Sequence, residues 1–413
     1  MNPSPSGKQS YPGREDYFGS VHPHILFLTR WYPHQYDPMP GLFVRNHALI
    51  AAGFAVTSVV YVHGVVKSLN RTVIEQTNDE GILTWRVYYP VPSLRLPLLG
   101  QVWKGFLFLR ANCQGIQHAI RKSGKPDLIH VHILTRLAAI ALVLHWKYRI
   151  PYVITEHWSR YLPSVDTFKG WARKWLTRLV VKRAAAVTTP TVNLQNAMKG
   201  FRLENDHYLL LPNLVDTERF IPAPAGHIKD SQPVQFVHVS CFEDRSKNIS
   251  GLLRVIVALS GKRQDFRCRL VGVGEDFEAL SVMAEEMGIK DHFVIFSGLL
   301  EGDSLVDAIS TADFMVITSH YENLPVVIGE AFSCGIPVLS TDVGGISEII
   351  SEHTGRLVKA RDDKALLEGI EHMLDHFHEY EQKAIRDFAI QHFGKQAVTD
   401  TLKSIYMNAL QIP

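Results

Sequence analysis

Short apolar, β-branched runs alternate along the chain with longer stretches whose apolar positions recur at helical spacing. HILFLTRWYP (His24 to Pro33) reads as a buried strand breaking into a loop, VRNHALIAAG (Val44 to Gly53) as a helix stopped by glycine, and AVTSVVYV (Ala55 to Val62) as the next strand. DLIHVH (Asp127 to His132) and YVITEH (Tyr152 to His157) are further strands, separated by an apolar helix from Leu134 to about Tyr148. AAAVTTPT (Ala184 to Thr191) and YLLLPN (Tyr208 to Asn213) complete a first sheet. LVDTERFIPAPAGHIKDSQP, Leu214 to Pro233, is rich in Pro, Ala, Asp and Ser and reads as a linker. The alternation then restarts with strands at Gln235–Ser240, Phe266–Gly274, His292–Gly298, Asp313–Ser319 and Pro337–Thr341. Parallel strands joined by crossover helices explain this pattern. It predicts an α/β chain of two doubly wound, Rossmann-like domains, 24–217 and 218–395, after a leader at 1–23. The last helical segment, about 396–413, is assigned back to the first domain. Ligands of such sheets sit beyond the carboxyl ends of the strands, so the loops there are where chemistry is sought.

Length agrees, since 413 residues exceed one compact core. The net charge of +2 hides an asymmetry. Residues 1–222 carry 26 Lys+Arg against 13 Asp+Glu, and residues 223–413 carry 17 against 28, so the halves stand at +13 and −11. Such halves either face different partners or attract one another across a cleft. Cys113, Cys241, Cys268 and Cys334 lack metal-ligand spacing and fit reduced thiols in a cytoplasmic protein. The polar, Pro/Gly-rich leader has no apolar h-region, and no run nears the roughly 18 apolar residues of a membrane-spanning helix. Two segments, Leu94 to Lys122 and Lys169 to Arg183, mix Trp, Leu, Lys and Arg at helical spacing. They either dock at the inner face of an anionic membrane or pack into the domain with basic outer faces. No aromatic-basic motif of a nucleic-acid reader is present.

Candidate chemistry centres on HYENLPVVIGEAFSCGIPVLSTDVGG, His320 to Gly345. Glu322 falls in the loop after a strand, and Pro325 suits the first turn of a helix over Val326–Ser333 that Gly335 ends. Glu330 lies inside that helix. The amides near Asn323 and Leu324 face outward at an end whose dipole favours anions. One carboxylate beside an anion site and another a turn deeper suit a ligand that joins a phosphate to hydroxyl groups. The alternative is a solvated loop glutamate and a helix-face glutamate. Arg245 and Lys247, in a loop after a strand and before a helix starting near Asn248, form a candidate diphosphate clamp. Gly272 and Gly274 after a strand are weaker than a full phosphate-loop fingerprint. Gly41, in a Pro-rich loop before a helix, permits close backbone approach to a ligand or simply makes a turn. His157 and Glu156 stand at a strand's carboxyl end, where the histidine could contact a sugar or be structural. His130 and His132 share a strand face without a third ligand near in sequence, and no Asp-x-Asp pair follows a strand, so no metal site is read.

Together these residues resemble the retaining glycosyltransferases of family 4, which have the GT-B fold of two Rossmann-like domains facing a cleft. Glu322 to Glu330 matches the family's E-x7-E signature, followed by EAF-x-x-G-I-P-V and the later Gly-Gly. The resemblance extends through P-x-x-G-x-F-V-R at Pro38 to Arg45, TEH at Thr155 to His157, P-N-x-V-D at Pro212 to Asp216 and Lys247–Asn248. It implies a metal-independent transfer from a nucleotide-sugar donor to a glycan or lipid-linked acceptor in cell-envelope or polysaccharide biosynthesis. The donor is a co-substrate and no cofactor is implied. By the same resemblance Glu322, His157 and Lys247 are catalytic. Asn323, Leu324 and Pro325 meet the sugar or phosphate, Glu330 takes the ribose hydroxyls, Lys247 the diphosphate, and Gly41 approaches the phosphate. Many family members carry an arginine five positions before the clamp lysine. Phe242 stands there in this chain, and Arg245 is the candidate replacement. The alternatives within the fold are a non-hydrolysing nucleotide-sugar 2-epimerase and a catalytically silent nucleotide-sugar-binding protein.

Overall fold

The computed structural model describes residues 22–66, 69–91, 97–134, 136–163, 165, 167–224 and 233–411. Residues 1–21 of the predicted leader and 225–232 of the predicted linker lie outside them. The chain forms two compact units, Met1–Ile154 with Leu402–Pro413, and Thr155–Thr401.

The first unit runs β1 (His24–Thr29), α1 (Leu42–Ala52), β2 (Val56–Val65), β3 (Val73–Asp79) and β4 (Ile82–Pro90). It continues through α2 (Pro97–Ser123), β5 (Leu128–His132) and α3 (Arg136–Tyr148) to β6 (Tyr152–Thr155), at whose last residue the units divide. Its strand order is β3-β4-β2-β1-β5-β6. β1 pairs in parallel with both β2 and β5 and is buried at all six positions, which is why it reads as an unbroken apolar run. β3 and β4, absent from the sequence reading, make an antiparallel hairpin closed by Glu80 and Gly81, both at positive φ. The C-terminal segment Leu402–Pro413 belongs to this unit, where the Tyr406 hydroxyl and the buried His130 Nδ1 lie 2.7 Å apart.

The second unit starts with α4 (Trp171–Arg183), β7 (Ala186–Thr189), α5 (Val192–Gly200) and β8 (Tyr208–Leu210), with β7 and β8 paired in parallel. Then come β9 (Val234–Val239), α6 (Asp244–Lys247), α7 (Ile249–Ser260), β10 (Phe266–Val271), α8 (Phe277–Glu286), β11 (Val294–Phe296) and α9 (Asp303–Ser310). β12 (Phe314–Ile317), α10 (Val326–Ser333), β13 (Val338–Thr341), β14 (Gly355–Val358), α11 (Asp363–His376) and α12 (Gln382–Phe393) follow. α13 (Lys395–Gln411) runs on from this unit into the first. The sheet order is β11-β10-β9-β12-β13-β14, with parallel pairing throughout. Alternate residues of β12 enter two separate cores: Phe314 and Val316 pack with Phe236, Leu252 and Ile256, and Met315 and Ile317 pack with Ile328, Ala331 and Phe332. Burial on both faces is what a doubly wound sheet requires.

The units do not coincide with the ranges 24–217 and 218–395, because residues 155–217 are tied to the C-terminal half. Glu348 accepts bonds of 2.7 and 2.6 Å from the Val192 and Asn193 amides at the start of α5. Val215 N donates to Phe393 O at 2.9 Å, and Arg386 donates to the carbonyls of Thr217 and Phe220. Among the described residues, no helix is long and apolar enough to cross a membrane.

Candidate functional site

Strand order reverses between β9 and β12, since the chain winds outward from β9 through β10 and β11, then returns to β12 and winds the other way. A crevice opens at such a switch point beyond the carboxyl ends of the two strands. The residues that follow β9 and β12 are those carrying Lys247 and Glu322. Buried His238 braces the two strands, with its Nδ1 2.9 Å from Val316 O and its Nε2 2.8 Å from Ser240 Oγ. Burial pushes its pKa down to about 4, so the ring stays neutral.

Lys247 closes a single helical turn, α6, rather than sitting in the open loop expected from sequence. Asn248, left-handed at φ 53°, breaks α6 from α7. Backbone bonds then pin this turn to the end of β12. His320 N donates to Ser246 O at 2.8 Å, and Thr318 Oγ1 donates to Lys247 O at 2.7 Å. The result brings Lys247 Nζ onto Glu322 Oε1, which also accepts from Ser319 Oγ at 2.9 Å. Only 17% of the lysine side chain and 13% of the glutamate side chain are exposed. Burial works to lower the Lys247 pKa, but the adjacent Glu322 carboxylate outweighs it and holds the value raised. Lys247 therefore stays a cation where it meets Glu322.

α10 spans Val326–Ser333, as the sequence predicts. Pro325 is its extended N-cap, at φ −65° and ψ 126°, and Val326 is its first helical residue. Proline has no N–H, so Pro325 cannot donate to a ligand as the resemblance implied; it shapes the turn instead. Among the described residues, no partner takes the N–H groups of Leu324, Val326 or Val327. They make up the electropositive end of the helix. Gly335, left-handed at φ 73°, terminates α10 as the sequence predicts. Glu330 lies on the second turn. Part of its side chain is exposed, yet desolvation pushes its carboxyl up to about 7.

Asn323 is a structural hub. Its Oδ1 accepts from Thr191 Oγ1 at 3.0 Å, its Nδ2 donates to His157 O at 3.1 Å, and its backbone O accepts from Gly345 N at 2.9 Å. The backbone of His157 is thus held next to Glu322, and its own N–H donates to Glu156 Oε1 at 2.9 Å. Arg245 is exposed and two positions from Lys247 on one helical turn, which points it away from the Lys247–Glu322 pair. The arginine's usual place is taken by Phe242, fully buried against Phe277 and Phe296, so that position supplies no cation beside Lys247. In the first unit, Gly41 has φ 77°, and a Cβ there would lie 2.3 Å from Trp31 O, so backbone packing alone requires glycine. Gly272 is needed for the same reason, with a virtual Cβ 1.8 Å from Ser240 O. Ser319, Thr318, Thr191 and His238 were missed by the sequence reading. The one local signal was the pair of hydroxyls closing the strand run.

Gly344 gives the loop its test. It has φ 61°, and a Cβ would meet Glu322 O at 1.9 Å. Gly344→Ala should lower stability by about 2–4 kcal/mol in a denaturant titration, because both the backbone conformation and the carbonyl contact are refused. Gly288→Ala is the control, since its φ is 68° but nothing lies within 4 Å of a virtual Cβ. It should cost about 1 kcal/mol. Equal losses in the two variants would show that the Glu322 loop is not held from Gly344.

Comparisons with known proteins bear on the family and the fold. Residues 47–214 match the family model described as Glycosyl transferase 4-like domain, and residues 223–387 match Glycosyl transferases group 1. Residues 215–222 separate the two matches. A Bacillus subtilis chain provisionally named for teichuronic acid biosynthesis, the glycosyltransferase TuaC, is 26% identical over 84% of this chain and 88% of its own length. The 2-deoxystreptamine glucosyltransferase of Streptomyces kanamyceticus is 27% identical over 66% and 73%. Among solved structures, sucrose-phosphate synthase from Thermosynechococcus elongatus superposes with a TM-score of 0.73 at 18% identity, over 94% of this chain and 98% of that one. HepE of Anabaena in complex with UDP-glucose gives 0.68 at 17%, over 94% and 100%.

Proposed function

We propose, from the premise that this chain belongs to the family-4-type glycosyltransferases and has their GT-B fold, that its second unit holds a nucleotide-sugar donor at the Lys247–Glu322 pair. The juxtaposition of that ion pair with the amide end of α10, at the switch point, carries the reading. A nucleoside diphosphate leaving group gathers negative charge as the glycosidic bond breaks. Lys247 and the amides of Leu324, Val326 and Val327 are the groups that meet it. Glu322, relieved of the lysine, turns to the sugar hydroxyls, and the Glu330 carboxylate accepts from the ribose hydroxyls. His157 lies near the sugar, positioned through Asn323. HepE is solved with UDP-glucose, which favours a uridine diphosphate sugar as the first donor to try.

The acceptor in this reading is a glycan or a lipid-linked glycan, the latter met at an anionic membrane surface. Its relatives are named for teichuronic acid biosynthesis, 2-deoxystreptamine glucosylation and N-acetyl-alpha-D-glucosaminyl L-malate synthesis, and they leave no support for the epimerase alternative. Charge on the diphosphate is countered by Lys247 and helix amides, so no metal is needed. The test is NMR of the transferred sugar's anomeric configuration with and without a chelator. Retention and unchanged turnover are expected. An inverted anomer, or activity lost to the chelator and restored by a divalent ion, would overturn this mechanism.

A further inference from the structure

We infer that the outer face of α4 is a docking surface for an anionic lipid bilayer. Trp171 is 85% exposed and Trp175 61% exposed, although tryptophan is normally among the most buried residues by area. Arg178 and Lys182 are exposed as well. The spacing of these four, at i, i+4, i+7 and i+11, sets them along one side of the helix. Buried Val180 and Val181 anchor the opposite side to the unit. The stem of Arg178 is steadied by its Nε, which donates to Phe201 O at 3.2 Å.

Charge selects the occupant. From Thr167 to Leu203 the sequence holds no Asp or Glu, while Lys169, Arg173, Lys174, Arg178, Lys182, Arg183, Lys199 and Arg202 all fall there. The acids that follow, Glu204 and Asp206, flank Asn205, whose Nδ2 donates to the carbonyls of Val181 and Ala184. They therefore sit at the carboxyl end of α4. Ten residues of helix put the Trp171 end about 15 Å away, beyond the screening length of about 8 Å at physiological salt. Indole rings prefer the headgroup level of a bilayer, and lysine and arginine at that depth are drawn to acidic headgroups. An exposed helix ridge offers a protein segment little to bury against, whereas a planar lipid surface meets it directly. The inference draws its purpose from the lipid-linked acceptor of the proposed function, but its test needs neither donor nor acceptor.

The experiment is sedimentation of the full chain with phosphatidylcholine vesicles, with and without phosphatidylglycerol, followed by tryptophan emission. Acidic vesicles should retain the protein and shift its emission to the blue, while neutral vesicles should not. Arg178→Gln with Lys182→Gln should lower partitioning about 25-fold, from about fivefold per cation removed. Trp171→Ser with Trp175→Ser should abolish the blue shift and most of the retention. Both double variants lie on the surface and should keep the wild-type melting temperature. Equal retention on neutral and acidic vesicles overturns the inference, as does retention unchanged in the variants. So does a change confined to self-association.

Discussion

Lys247→Ala is expected to lower turnover for sugar transfer about 10²–10³-fold, the usual cost of removing one preorganised group that stabilises developing negative charge. The effect should be large because Lys247 is the cation that meets Glu322, whereas Phe242 is core and Arg245 is exposed. Stability should fall too, by about 1–3 kcal/mol, because Glu322 is left mostly buried without its counter-ion. Lys247→Arg keeps a charge and should recover much of that stability. Removing both partners should cost less stability than the two single losses added, since each single variant strands the other charge. Turnover measured at saturating donor separates the catalytic effect from binding. A Lys247→Ala enzyme with near wild-type turnover would mean that the diphosphate is neutralised elsewhere.

Glu330→Gln should weaken donor binding and stabilise the free protein. Folding raises this carboxyl from the ordinary 4.5 to about 7. The stability it contributes is therefore fully present below pH 4.5 and is lost as pH rises towards 7. At pH 8 the wild type carries a poorly solvated carboxylate, and replacing it should gain roughly 2–3 kcal/mol. The same carboxylate is the form that accepts two ribose hydroxyls. Affinity for a nucleotide sugar, whose diphosphate does not titrate near neutrality, should then fall with pH below 7, approaching tenfold per unit. Glu330→Gln should flatten that profile. A wild-type affinity independent of pH between 6 and 8 would sever Glu330 from the ribose.

Much of this site was legible because it is written locally. The helix over Val326–Ser333 follows from an apolar run bounded by Pro325 and Gly335, and its carboxylate spacing comes with it. Parallel strands announce themselves as apolar runs because both their faces are covered. β3 was missed because its VIEQTND run is a polar edge strand, and its Glu-Gly turn was the available signal. β14 is only four residues long. What sequence cannot carry is the long-range bonding. The backbone amide of Asn323 was read as a ligand donor from local spacing, but the bonds of its side chain to Thr191 and His157, 132 and 166 positions away, leave no local trace. Phe242 and Arg245 show the same limit. A helical turn decides which of two nearby side chains faces the crevice, and one residue of phase separates a clamp from a surface charge.

The most direct measurement is the melting temperature of the wild type, Lys247→Ala and Glu330→Ala against a panel of nucleotide sugars. A true donor at 100 times its Kd should stabilise the wild type by about 2.7 kcal/mol, and both variants should lose most of that response to the same compound. Variants that respond as fully as the wild type, or a wild type that responds to none of the panel, would contradict the placement of the donor beside Lys247 and Glu330.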